Sequence, residues 1–172
     1  MTRRKPPAAK ADPSPPPSGG HDHAHCVADA LAAAERCCAA RGAQLTPIRR
    51  RVLELVWSSH APIGAYEILA ALGRETGKVQ PPTVYRALDF LKAQGLIHRI
   101  ESRNAFIGCA QPGTRHAGQF LLCRGCGEAA ELVADKALAA LDRQAAALGY
   151  SVEHRTVEFE GLCPHCQEAT RP

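Results

Sequence analysis

The sequence predicts an α+β chain. An N-terminal winged helix-turn-helix unit is followed by a small C-terminal α/β unit stapled by four cysteines. Three stretches carry this expectation. Pro81-Pro82-Thr83-Val84-Tyr85-Arg86-Ala87-Leu88-Asp89-Phe90-Leu91 reads as a short amphipathic helix. Leu96–Glu101 and Ala105–Cys109 follow at once as a hairpin around Ser102-Arg103-Asn104. Two C-x₂-C pairs, Cys123/Cys126 and Cys163/Cys166, bracket the C-terminal third.

Composition bounds the rest. A chain of 172 residues with 45% hydrophobic content can bury a real core, in one medium domain or two small ones. The formal charge of +4 is unevenly spread. Residues 1–20 and 43–100 are basic, whereas 101–172 are slightly acidic. A polyanion partner is therefore expected for the first unit alone. No apolar run approaches the ~18 residues of a membrane span, and the basic start leads into prolines rather than a signal-peptide core. A cytoplasmic protein is expected, with no membrane partner. In a reducing compartment its eight cysteines are metal ligands, reactive thiols or packing residues before they are disulfides.

In chain order, residues 1–25 read as an arm, basic and proline-rich at first and then histidine-rich (His21-Asp22-His23-Ala24-His25-Cys26). Such an arm cannot bury a core. Its clustered imidazoles could take up metal weakly. The winged-helix unit is expected over 26–109. Its first helix, from Cys26 to about Arg41, turns Val27, Leu31, Ala34 and Cys38 inward. Cys37 and Cys38 have no partner at ligand spacing and read as packing residues. Thr46-Pro47 opens a second helix as N-cap and first-position proline. Ile48, Val52, Leu55 and Val56 form its inner face, and Arg49, Arg50 and Arg51 decorate its start. A third helix near Ala65–Leu72 buries Ile68, Leu69 and Leu72 and exposes Tyr66 and Glu67. The next helix begins at a proline, buries Val84, Ala87, Leu88 and Leu91, and ends at Gly95. Its polar front of Tyr85, Arg86 and Asp89 suits a recognition helix; an ordinary amphipathic surface helix is the alternative.

Residues 110–118 read as a hinge, and 119–172 as the second unit. Strands are expected at Gln119–Leu122, about Ala129–Val133 and Tyr150–Glu160. A helix from Asp135 to Leu148 should turn Leu138, Leu141, Ala145 and Leu148 inward. So few elements need a staple or a partner. Two C-x₂-C knuckles supply the tetrahedral thiolate shell that zinc prefers. The 36 residues between Cys126 and Cys163 leave room for a strand–helix–strand unit. A redox C-x-x-C at Cys123/Cys126 would want a helix N-terminus, but Cys123 follows a strand. His98, Cys109, His116 and Glu131 each have an ordinary reading as wing, core, linker and surface residues. Taken together they offer one ion N, S, N and O ligands from both units.

These stretches resemble the ferric uptake regulator family, and within it the zinc uptake regulator branch, from about residue 27 to 168. The motifs are Leu45-Thr46-Pro47 with Arg49 and Val52; Ala65-Tyr66; Pro82-Thr83-Val84-Tyr85-Arg86-Ala87-Leu88; and the paired cysteines. The unbroken PPTVYRALDFL run and Gly161-Leu162-Cys163 resemble the zinc branch more than the iron branch. The stretch Thr114–Gln119 lacks the histidine run that iron-type members carry there. The resemblance implies a dimer on palindromic double-stranded operator DNA. It implies two zinc ions per monomer. Cys123, Cys126, Cys163 and Cys166 would hold a structural zinc, and His98, Cys109, His116 and Glu131 a regulatory one. Tyr66 and Arg86 match DNA-contacting positions, with Thr83, Tyr85 and Arg49 expected beside them. The function so implied is a zinc-responsive repressor of zinc-uptake genes, not an enzyme, with no small-molecule substrate besides the metal. Sensors of iron, manganese, nickel or peroxide on the same scaffold are rivals. A thiol–disulfide oxidoreductase is a further one, as is a zinc-ribbon interaction module without a DNA role.

Overall fold

A computed structural model of the chain describes residues 23–113, 116, 118–132 and 134–169. The basic arm, with His21 and Asp22 of the histidine-rich run, lies outside the described residues, as do 114, 115 and 117 of the expected hinge.

Helix α1 (His23–Ala40) opens at His23 rather than Cys26, followed by α2 (Pro47–Val56). A two-residue strand β1 (Ile63–Gly64), which the sequence did not suggest, leads into α3 (Ala65–Thr76). Next come α4 (Pro81–Ala93) and the hairpin β2 (Ile97–Ile100) and β3 (Ala105–Gly108). Thr46 holds the extended backbone of an N-cap, but its side chain makes no cap hydrogen bond; its carbonyl accepts the Arg50 N–H at 2.9 Å. Proline starts α4 and Gly95, at φ +65°, stops it. One sheet runs β1-β3-β2, with His98 opposite Ile107 and Ile97 opposite Gly108. It closes the helical bundle as a winged helix-turn-helix.

The core follows the expected periodicity. Leu31, Ala34, Cys38, Val52, Val56, Ile68, Leu72, Val84, Ala87, Leu88 and Leu91 are buried together. Leu53 joins them, whereas Leu55 and Leu69 are half-buried at the margin. Cys37 packs against this core beside Cys38, as a packing residue should.

The second unit comprises β4 (Gln119–Cys123), β5 (Ala129–Leu132), α5 (Asp135–Ala147), β6 (Val157–Gly161) and a short α6 (Pro164–Ala169). Its sheet order is β5-β4-β6, antiparallel on one side of β4 and parallel on the other. The parallel pair requires the crossover that α5 supplies. Two expectations are corrected here. The last strand is confined to 157–161, because 150–156 make no ladder. Along α5, Leu138 is buried, but Leu141 is 56% exposed and Leu148 77%, and Ala145 is half-exposed. Only Leu138 of the expected stripe is buried, and Leu121 and Phe159 of the sheet are exposed as well.

The two units share a second core. Ile100 and Ile107 of the wing are buried with Phe120, Leu122 and Ala129 of the second sheet. The back of the wing thus rests on β4 and β5, which fixes where the ligand-bearing strands meet.

Candidate functional site

Two clusters of ligand-type side chains occur among the described residues, and they match the two expected groups. In each, the ligand atoms all lie within 4.8 Å of one another.

The first is built at the foot of the wing. His98 stands on β2, and Cys109 follows the last residue of β3, its N–H bonded to the Leu96 carbonyl at 3.0 Å. Glu131 is on β5, and His116 lies on the segment between the units. His98 Nε2 is 3.2 Å from His116 Nε2 and 3.4 Å from Glu131 Oε1. His116 Nε2 is 2.8 Å from Glu131 Oε1 and 3.5 Å from Cys109 Sγ. Tetrahedral zinc, with bonds of about 2.0–2.1 Å to N or O and about 2.3 Å to S, would space such ligands by about 3.3–3.6 Å. The cluster already has nearly that size.

Its electrostatics suit a cation. Burial pushes the Cys109 thiol up to about 12, with the Glu131 carboxylate adding to the effect. Burial lowers the pKa of His98, and His116 lowers it further, against the opposing pull of Glu131. His98 is therefore kept as neutral imidazole, the form that binds metal, whereas Cys109 must release a proton to do so. Phe120 packs edge-on against His98, with ring centroids 5.4 Å apart. Gly118 makes room for both rings: a Cβ there would fall 2.5 Å from Phe120 and 3.0 Å from His98 Nδ1. Sequence reasoning missed Gly118 and Phe120 as supports. A glycine two residues before a strand aromatic is too common a pattern to flag them.

The second cluster closes the far end of the second unit. Cys123 ends β4 and Cys126 lies in the turn after it; Cys163 precedes α6 and Cys166 lies within it. Cys126 Sγ and Cys163 Sγ are 3.8 Å apart, the edge of a tetrahedron with Zn–S bonds of about 2.3 Å. The thiolate of Cys123 is favoured. The N–H of Cys126, then those of Cys163 and Gly125, lower its pKa to about 6. Hydrogen bonding to Cys163 raises Cys166 to about 12. One thiolate is thus ready and others give up protons on binding metal. A Cβ at Gly125 would sit 2.9 Å from Cys166 Sγ, so a bare backbone is needed inside the first knuckle. Cys123 sits at a strand end and not at a helix start, which is the arrangement of a closed tetrathiolate site. The donor set and spacing fit a structural zinc.

The expected DNA-facing residues fall into two groups. Thr83, Tyr85 and Arg86 are exposed along α4, and Tyr66, 74% exposed, stands on the first turn of α3. Arg49 is engaged within its own unit: its guanidinium lies 3.6 Å over the Phe90 ring and donates to the Gln44 carbonyl at 2.7 Å. Arg50 pairs with Glu35 and Glu54, and Arg51 with Glu54 and Glu75. These acids offset the charge of Arg50 and Arg51 at the basic start of α2.

Residues 40–160 match the model of the Ferric uptake regulator family. The chain is 39% identical over 141 residues to the Zinc uptake regulation protein of Escherichia coli (strain K12), covering 80% of this chain and 81% of that protein. Its structure is similar to that of a zinc uptake regulator complexed with zinc and DNA, with a TM-score of 0.79 and 37% identity over 83% of this chain and 96% of that one. It is also similar to holo XcZur, with a TM-score of 0.74 and 44% identity over 80% of this chain and 96% of that one.

Proposed function

This chain belongs to the ferric uptake regulator family, and from that premise we propose that it is a zinc-responsive transcriptional repressor. In this reading a homodimer binds palindromic operator DNA while its mixed site holds zinc, and so controls genes for zinc uptake. The observation that carries the reading is the convergence of His98, Cys109, His116 and Glu131 from both units onto one point. Bound zinc supplies two positive charges and a preference for four ligands. His98 and Cys109 bring the wing to it, and Glu131 brings the second sheet. Four ligands drawn from two units bind well only when the units are close, so the ion favours that pose over any open one. The Cys109 thiolate selects zinc over iron(II) or manganese(II), which do better with N/O shells.

Cys123, Cys126, Cys163 and Cys166 hold a second, structural zinc in this proposal, making two per monomer. A tetrathiolate shell leaves no open position, so the reading assigns no enzymatic role. Arg86 is the residue for bidentate contact with a guanine edge; Tyr66, Thr83 and Tyr85 flank it, and Arg49 stands behind. The exposed Leu141, Leu148, Tyr150 and Phe159 support a second copy as the partner of the 119–172 unit. The DNA-binding unit starts with α1 at His23, ahead of the expected Cys26, and runs to 109, with 110–118 as the connection; the residues before it are assigned no role. Among the described residues no helix is long and apolar enough to cross a membrane, and a cytoplasmic location follows from the proposed role.

The test is to mix the reduced protein with a pool of genomic DNA fragments at buffered free zinc, in parallel with iron(II) and manganese(II) without oxygen. Retention of a few palindromic fragments with zinc alone is expected. Retention following iron or manganese would refute zinc as the signal, and retention indifferent to metal would refute the switch.

A further inference from the structure

The mixed site pins the foot of the wing, but the tip of the wing is also attached to the second unit, through contacts that involve no metal ligand side chain. The β2–β3 turn is shaped from within. Asn104 adopts φ +46°, and its side-chain oxygen accepts Arg99 Nη2 at 2.9 Å, while Arg99 also pairs with Glu101 at 3.2 Å. That shape turns two backbone donors outward together. Glu158 of β6 takes both: the Glu101 N–H donates to Oε1 at 2.6 Å and the Ser102 N–H to Oε2 at 3.1 Å. Arg103, the next residue, reaches the other way. Its guanidinium donates to the Gly127 carbonyl at 3.1 Å and to the Cys123 carbonyl at 3.4 Å. The Cys123 carbonyl also accepts the Gly127 N–H at 3.0 Å, the bond that closes the first cysteine knuckle. A formed knuckle therefore presents both carbonyls to Arg103, and a disordered one would not.

We propose that Arg103 and Glu158 are positioning residues that clasp the wing tip to the second unit, Arg103 at the Cys123–Gly127 knuckle and Glu158 at β6, and thereby set how much zinc the mixed site needs. The inference rests on the mixed site being the sensor. Its physical basis is that the clasp favours the same closed pose that the four mixed ligands require. Free energy held in the clasp is free energy that zinc binding need not supply, so the clasp raises the affinity of a site at the opposite end of the wing. The buried Ile100, Ile107, Phe120, Leu122 and Ala129 pack the wing against the sheet between the two attachments. Arg103 and Glu158 are half-buried, whereas the Glu101 and Ser102 donors are exposed, and each contact joins a charged group to backbone, the stronger kind of hydrogen bond.

The experiment measures zinc affinity of the mixed site by competition with a chromophoric chelator, in full-length protein whose four-cysteine site is filled. Glu158→Ala and Arg103→Ala are compared with the unaltered chain. Glu158→Ala is the second line of test, because it leaves the knuckle carbonyls untouched. About tenfold weaker zinc binding is expected in each, equivalent to about 1.4 kcal/mol from the pair of hydrogen bonds that each residue makes. Operator binding should then need correspondingly more free zinc, yet reach its full strength at saturation. A lowered melting temperature with unchanged zinc affinity would make the clasp a stabilising contact only and overturn the proposal. DNA binding of the unaltered chain that ignores zinc would instead overturn the functional reading, while the chelator measurement still decides the clasp.

Discussion

Gly118→Ala is a small change with a large expected consequence at the mixed site. The added Cβ would lie 2.5 and 2.6 Å from two carbons of the Phe120 ring and 3.0 Å from His98 Nδ1. The ring cannot swing aside cheaply, because Phe120 is 3% exposed and packed with Ile100, Ile107, Leu122 and Ala129. The methyl must displace either that ring or the His98 imidazole. Overpacking of this kind costs about 1–3 kcal/mol. If the strain is relieved by moving His98, it is charged against the closed, metal-binding arrangement, and zinc affinity at the mixed site falls by roughly 5- to 150-fold. The four-cysteine site is at the other end of the sheet and should keep its metal. Chelator competition on the purified variant reads the affinity, and a metal count after mild chelation reads the second site. Wild-type affinity in Gly118→Ala would refute the reasoning, as would loss of the four-cysteine metal in its place.

Other expectations follow from the same geometry. Between pH 7.5 and 9 the Cys109 thiol, raised to about 12 by burial, stays protonated in the metal-free site, while His98, lowered by burial, is already neutral. Zinc binding should release the Cys109 proton, so affinity at the mixed site rises about tenfold per pH unit there; a flat profile by calorimetry in buffers of different ionisation enthalpy would contradict it. Arg86→Ala, on the exposed face of α4, should weaken operator binding by about 1–3 kcal/mol with zinc content and melting temperature unchanged, as read by fluorescence anisotropy. Leu141→Asp combined with Leu148→Asp places charge on two apolar side chains that this chain leaves exposed. Sedimentation should show the dimer weakened and the winged-helix unit still folded.

The winged-helix half was legible because its core is local and periodic. Proline at the start of α4 and Gly95 at its end bracket Val84, Ala87, Leu88 and Leu91, and all four are buried. The cysteine pairs were legible because ligand chemistry restricts spacing. What was not legible depended on contacts between distant segments. The periodicity of α5 shows an apolar stripe but not what covers it, so Leu141 and Leu148 read as inward although they are exposed. The alternation of Val157 and Phe159 with Glu158 and Glu160 suggests a strand, which the sequence reading extends back to Tyr150, but β4 pairs with Val157–Gly161 alone. Nothing in the single residues Arg103 and Glu158 marks them, because each acts on backbone groups of the other unit. Ile100 and Ile107 likewise look like strand residues of the wing, whereas they form the joint with the second sheet.

The central claim is that the His98/Cys109/His116/Glu131 site is the switch. Its most direct test is operator binding of Cys109→Ser across a series of buffered free-zinc concentrations, with zinc counted in the same samples. The account predicts one zinc per chain, an intact dimer and no zinc-dependent DNA binding. Zinc-responsive binding retained in Cys109→Ser would contradict it and place the switch elsewhere in the molecule.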